Sequence, residues 1–577
     1  MDASGGASGV APAAVPADVR RMILRSFTKK HHLQLRSDAV SFVYTTLQAH
    51  GLLADAASAA EAVDVLVNAL IEQHVAGLHA GGDEMVVTSA ALQKVYDQLL
   101  VESADAQHGE SASAARVTHG EQPALEKYFS VCDAFRQPRI VFHPLRKVFE
   151  RAERPPSLLA HASAPSEHMT ERYELLRSIV QRNEHFLPPL PMGASLAERQ
   201  SFMKLTTTKN LLGRQGERCL LFGRLSTMPD GQYALEDTEG IVAMDLSRAV
   251  AGEGIFTEGC FVLVEGEYMA NETVYAYALG HPPSETRDAA RELFGHMDFT
   301  GAGAVPAKNV TALRAQETQH ADLCIAVFSD VHLDHAKPRA NLRAILQGYD
   351  DADFIPFALV LCGNFCADAP DGRGVHTARF RDAFQHLADL LVAFPRILER
   401  SHLVIVPGPG DPVASHVLPR ARLPAPLVDA FERRLPRAFV RERLHWTSNP
   451  CRLVFFSQEL VVFREDAMSK MLRNAVRLKD EINEGDLQKF LVSTLLDQAH
   501  LCPLPHQVRP VLWEYAHALR LYPMPSALVL ADRYERFELT YEGCHVFNPG
   551  SFRGSSYGWT TYYPATGQAE RSELAGG

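Results

Sequence analysis

Long apolar runs are missing from this chain. The longest, Phe354-Ile355-Pro356-Phe357-Ala358-Leu359-Val360-Leu361, is well short of the ~18 residues that cross a bilayer, and it reads as a buried strand. Basic charge is also in deficit. Lys and Arg number 57 against 69 Asp and Glu, a net charge of −12. Affinity for nucleic acid comes largely from neutralising phosphates, so this balance argues against autonomous DNA binding. Paired cysteines are absent too. The 9 cysteines are odd in number and scattered, which fits reduced thiols in the cytosol or nucleus. Cys362 and Cys366 have no second pair nearby, so a structural zinc site is not expected. Met1 to Pro16 lack a basic start and a leucine-rich core, so residues 1–17 read as a disordered tail and not as a secretory signal.

What is present is an ordinary globular composition, 46% apolar and 22% charged over 577 residues, enough for roughly three or four domains. Residues 18–102 carry helical spacing, as in Val19, Ile23, Leu24 and Phe27, then Ala39, Phe42, Val43 and Leu47, continuing through 61–74 and 90–101. The first of these segments is basic, with Arg20, Arg21, Arg25, Lys29, Lys30 and Arg36, on either a solvated or a partner-docking face. Residues 103–190 read as a linker with short helical segments, including one from Glu171 to Glu184. Within 191–295, short apolar runs at 220–222, 241–244, 261–264 and 274–277 are separated by turns such as Asp230-Gly231 and Glu239-Gly240. That spacing predicts a small barrel of the OB-fold type. Between Gly231 and Gly280 nine acids face one base, Arg248, so the barrel is expected to pack against protein and not to read a single strand.

Residues 296–319 read as a second linker. Gly301 to Lys308 has glycines and a lysine but lacks the Gly before Lys308 and the Ser or Thr after it, so it is no phosphate loop. From 320 to 577 strands alternate with helices. Runs at 323–328, 358–362, 403–406, 453–456, 460–463 and 527–530 read as strands, and Val375–Leu391 and Asp486–Ala499 as helices. Ligand sites in such α/β domains lie at the carboxyl ends of strands.

Asp330-Val331-His332 stands at one such end. It resembles the first metal-binding motif of calcineurin-like phosphoesterases, which use two metals to activate water and polarise phosphate. The resemblance implies four further motifs, and most are altered. The bridging Asp of the second is Asn364, a neutral amide where two dications would meet. In the third, Pro409 replaces a ligating Asn and Gly410 replaces a histidine. His500 resembles the retained histidine of the fourth. In the last motif Asp532 and Tyr534 stand where two histidines are expected, while the loop Asn548-Pro549-Gly550-Ser551 is kept for backbone geometry. The expectation is an inactive phosphoesterase-like α/β sandwich with no catalytic residue, metal or cofactor. The alternative is a divergent metal-dependent phosphoesterase using Asp330, His332 and His500.

Three segments carry a wider likeness. They are Tyr233 to Gly240 with Met244-Asp245-Leu246-Ser247, then Ser329 to Asp334, then Gln498 to Pro505 followed by Tyr522 to Pro525 and Leu530 to Tyr534. With these the chain resembles the B subunits of replicative DNA polymerases, the epsilon branch above all. The likeness runs from about residue 18 onward and is weakest between 103 and 165. It implies a non-catalytic nuclear scaffold. Barrel and α/β domain together would hold the C-terminal, zinc-binding region of the polymerase catalytic subunit. The N-terminal helices would dock to the replicative helicase through GINS, and DNA would be contacted only indirectly or weakly. The strip Arg420, Arg422, Arg433, Arg434, Arg437, Arg441 and Arg443 is left as either a solvated helix face or a partner-facing one.

Overall fold

Strands that are apolar on both faces are stable only with both faces covered. Ala358–Cys362 is apolar throughout, Ile325–Ser329 and His402–Val406 are apolar but for Ser329 and His402 at their ends, and every residue of the three is buried. In the computed structural model, residues 125–187, 204–368, 374–412, 416–554 and 557–574 are described continuously, with 15–24, 34–49 and isolated positions between 27 and 96. The tail 1–14, much of the helices read at 61–74 and 90–101, and residues 103–124 lie outside the described residues. The chain divides into two units, Met1–His119 and Gly120–Gly577.

In the first unit, Ile23 of helix Ala17–Leu24 and Ala39, Val43 and Leu47 of helix Ser37–Ala49 share one core with Phe27, Val63, Val67, Leu92 and Val95. The Asp38 carboxylate accepts from the Ser89 hydroxyl at 2.8 Å, tying the start of the second helix to the segment beyond the short Gln34–Leu35 and Val86–Val87 pairing.

The second unit contains a barrel and a two-sheet α/β body. Barrel strands Arg218–Thr227, Tyr233–Glu236, Ile241–Asp245, Phe261–Tyr268 and Thr273–Gly280 form the bulk of a 7-stranded sheet. It closes through parallel pairing of Thr273–Tyr275 with Ala243–Asp245. Leu221, Leu235, Val262, Val264 and Val274 alternate inward to fill it.

The α/β body has two 6-stranded sheets. The first runs Leu444–Trp446, His402–Val406, Ala358–Cys362, Ile325–Ser329, Trp559–Tyr563 and Gln568–Ser572, with the first four parallel. The second runs Phe537–Tyr541, Cys544–Asn548, Ala527–Leu530, Gln458–Phe463, Cys451–Phe455 and Phe129–Asp133. Val327, Val360 and Val404 from the first meet Leu453, Val462 and Val529 from the second in a shared core. Outside, Gly374–Val392 and Ala336–Asp351 cover the first sheet, and Asp486–Asp497 covers the second.

Two stretches differ from the linkers expected. Within 103–190, Phe129–Asp133 pairs antiparallel with Cys451–Phe455, and Ile140–His143 forms a hairpin with Val148–Arg151. The helix in this region spans Ala164–Arg182 and starts well before Glu171. Pro165 does not exclude that start, because a first-turn proline gives up an amide that has no intrahelical partner. Within 296–319, Ala307–Gln319 is a helix, and its buried Glu317 accepts from the Ser457 amide at 2.6 Å.

Candidate functional site

The carboxyl ends of Ile325–Ser329, Ala358–Cys362, Gln458–Phe463 and Ala527–Leu530 converge on one side chain, Arg464. It follows Phe463 directly and is fully buried. Its Nη2 donates to Asp330 Oδ1 at 2.9 Å, and its Nη1 to Asp466 Oδ1 at 2.8 Å and to the Ala531 carbonyl at 3.0 Å. Its Nε donates to the Gly363 carbonyl at 2.5 Å. Asn449 grips its backbone from both sides, accepting from the Arg464 amide at 3.0 Å and donating to its carbonyl at 2.6 Å. Asp330 and Asp466 hold the guanidinium charged against burial, and its pKa stays above the ordinary arginine range. Beside it Glu465 is buried among three cations. It pairs with Arg420 at 3.1 Å, with Arg509 at 2.8 Å, and with Lys470.

The motif residues are arranged around this guanidinium. Asp330 also accepts from the Asn364 amide at 2.9 Å. Asn364 Oδ1 accepts from the Gly410 amide at 2.6 Å, so loops two and three are joined directly. They are pressed together too. A Cβ on Gly363 would lie 1.7 Å from Asp411 Oδ2, and one on Gly410 would lie 2.9 Å from Asn364 Oδ1. Asp411 accepts from the amides of Phe365 at 2.8 Å and Gly408 at 2.7 Å, and burial pushes its carboxyl up to about 6. Pro409 is half-buried in the same loop. Asp532 accepts from the Met468 amide at 2.9 Å, at the start of helix Ala467–Arg473, and from the Tyr534 amide at 3.0 Å. Asn548 braces this turn, accepting from the Asp532 and Gly550 amides and donating to the Tyr534 carbonyl. His332 is buried, both its ring nitrogens lack a hydrogen-bond partner, and burial holds it below the usual imidazole range.

His500 is not part of this group. Its Nδ1 accepts from the Cys502 amide at 3.1 Å, and its ring lies 5.6 Å from that of His168, on a helix beside the barrel. A pair of divalent cations needs several hard anionic or imidazole donors at one place. Among the described residues, no three His, Cys, Asp or Glu side chains come close enough to hold a metal. The oxygens of Asp330 and Asp466 face a guanidinium, so the residues present do not fit a two-metal centre.

A family model that describes the B subunit of DNA polymerases alpha and epsilon matches residues 325–539. A second, described as the DNA polymerase epsilon subunit 2-like OB-fold domain, matches residues 162–283. The DNA polymerase epsilon B subunit of Schizosaccharomyces pombe is 36% identical over 457 residues, covering 76% of this chain and 75% of the relative. The human DNA polymerase epsilon subunit 2 is 32% identical over 573 residues, covering 97% and 99%. The chain belongs to the family of DNA polymerase epsilon B subunits.

In this family member, the segment Gln498 to Pro505 joins barrel to body. Gln498 pairs with both backbone groups of Phe261, accepting from its amide and donating to its carbonyl, each at 2.7 Å. Thr257 Oγ1 donates to the Pro503 carbonyl at 2.5 Å, and the Ile255 amide to Thr494 Oγ1 at 2.8 Å. His281 stacks on Phe256 at 4.2 Å. Strand Phe256–Thr257 pairs with Ala475–Arg477. The motif in this segment points to His500, whereas Gln498 makes the joint. Nor is the arginine strip one surface. Arg420 is buried on Glu465, Arg443 pairs with Glu126, Arg434 pairs with Asp389, and Arg422 and Arg437 are exposed.

Proposed function

We propose that this chain is the non-catalytic B subunit of a replicative polymerase, acting as a scaffold. Its α/β body is read as an inactivated calcineurin-like phosphoesterase sandwich, and Asp330, His332, Asn364, Pro409, Gly410, Asp532 and Tyr534 as a relic of that site. The observation that carries this reading is Arg464. Its guanidinium lies against Asp330, the first expected metal ligand, and against two strand-end carbonyls beside it. A fixed cation there stabilises the carboxylates without metal and offers no activated water.

Barrel and body then serve as one rigid platform for the C-terminal, zinc-binding region of the catalytic subunit. The clamp between Gln498 and Phe261 supports this, since it fixes the two parts against each other. The N-terminal helices, with exposed Arg20, are read as the arm toward GINS and the replicative helicase, and the site of action as the nucleus. Co-expression with a catalytic subunit's C-terminal region is expected to yield one co-eluting complex in gel filtration at micromolar concentration. Separate elution would overturn the scaffold reading. Turnover of a phosphodiester in manganese that is abolished by Asp330→Asn would establish the enzymatic alternative.

A further inference from the structure

A small cavity lies apart from the strand ends, where helix Ala164–Arg182 meets barrel and body. It holds about 20 Å³. One water needs roughly 10–15 Å³ on this measure, so the cavity takes a single small species. Its polar lining is His168, Glu171, Arg172, His500, His517 and Arg520, with Gln498 engaged elsewhere. Arg172 and His500 are only 8% and 2% exposed. Nε and Nη2 of Arg172 and Nε2 of His500 are buried without a hydrogen-bond partner.

These orphaned groups share one polarity. His500 Nδ1 already accepts from the Cys502 amide, and burial beside Arg172 keeps the ring neutral. Its proton therefore sits on Nε2, which is a donor. The arginine nitrogens can only donate. The charges do not balance either. Glu171 pairs with Arg520 at 3.0 Å, and Arg520 also donates to the Ile140 carbonyl at 2.9 Å. Arg172 forms no ion pair among the described residues, and its guanidinium carbon lies 5.0 Å from the Phe261 ring centre. One positive charge is left beside three donor atoms that have no acceptor, since the Glu171 carboxylate is already engaged by Arg520 and the Phe142 amide. A buried charge of that kind is strongly unfavourable without a counter-ion.

We propose that this cavity binds one small monovalent anion, a halide or a single carboxylate, between the guanidinium of Arg172 and Nε2 of His500. The anion ties the helix, the Gln498–Cys502 segment and barrel strand Phe261–Tyr268 into one joint. The proposal is independent of the polymerase assembly, so its failure leaves the scaffold reading standing.

The test uses the full chain. Thermal unfolding in sodium chloride, bromide or acetate is compared with sodium gluconate at equal ionic strength. The expected result is a midpoint about 1–3 °C higher with a small anion, the shift disappearing in Arg172→Gln. Acetate acting where halides do not would assign a carboxylate; halides acting alone would assign a halide. Crystals of the unaltered chain in bromide, which need no variant to fold, are expected to show an anomalous peak between Arg172 and His500. Equal midpoints in all salts, or bromide found on the surface as an adventitious ion only, would overturn the proposal.

Discussion

Arg464 shows what one side chain can decide. Burial of a guanidinium is tolerable only because Asp330, Asp466 and two carbonyls surround it. Arg464→Met removes the cation and leaves Asp330 buried without it. The expected loss is about 3–5 kcal/mol, read by urea unfolding. Arg464→Lys is expected to recover only part of it, since one ammonium cannot fork to four acceptors. A second residue-scale prediction concerns Asp497, whose carboxylate accepts from Tyr541 at 3.0 Å. Burial pushes its pKa up to about 7. Unfolded, it would shed its proton near 4. Between those values the native state binds more protons, so stability falls as pH rises from about 4 to about 7. Asp497→Asn keeps an acceptor for Tyr541 and does not titrate. From pH 5 to pH 8 the native chain should lose on the order of 2–3 kcal/mol relative to the variant, measured by denaturant titration. Sequence could show Asp330 and His332 because their spacing is a motif. It could not show Arg464, because Arg464-Glu465-Asp466 reads as a polar surface turn and becomes buried only when the sheets meet.

Among the elements, strands buried on both faces were the most legible. Ala358–Cys362 and Ala527–Leu530 are continuous apolar runs and occupy the residues read for them. Edge strands carried no such signal. Phe129–Asp133 holds Ser130 and Asp133, and Gln568–Ser572 is almost wholly polar, yet each pairs with a neighbour along its length. Their order comes from partners hundreds of residues away or from one covered face. The same holds for the joint at Gln498. Gln498→Ala would leave both backbone groups of Phe261 buried and unsatisfied, costing about 2–4 kcal/mol. Hydrogen exchange is expected to quicken at the Phe261 amide and along Phe261–Tyr268, while Ile325–Ser329 keeps its protection.

For the whole molecule, the order of barrel and α/β region was readable because composition changes along the chain, from short strands between turns to alternating strands and helices. What did not read was how residues 125–187 belong to the rest. They supply a sheet edge, a hairpin and the helix lying beside the barrel. Charge is the property that acts at this scale. With a net charge of −12, the full chain is expected to bind a single-stranded oligonucleotide weaker than micromolar at physiological salt, by fluorescence anisotropy. Submicromolar binding would return the barrel to the nucleic-acid readers.

Arg464 also bears on whether hydrolysis could be built into these strand ends. Putting Asp at 364, Asn at 409 and His at 410 would rebuild three motif positions. The guanidinium would still hold Asp330 and repel an incoming dication, and a side chain at 410 would collide with the one at 364. Each single reversion is therefore expected to cost stability and return no turnover. On the relic reading proposed above, hydrolysis is blocked from outside the motifs, and the block lifts only if several positions change together.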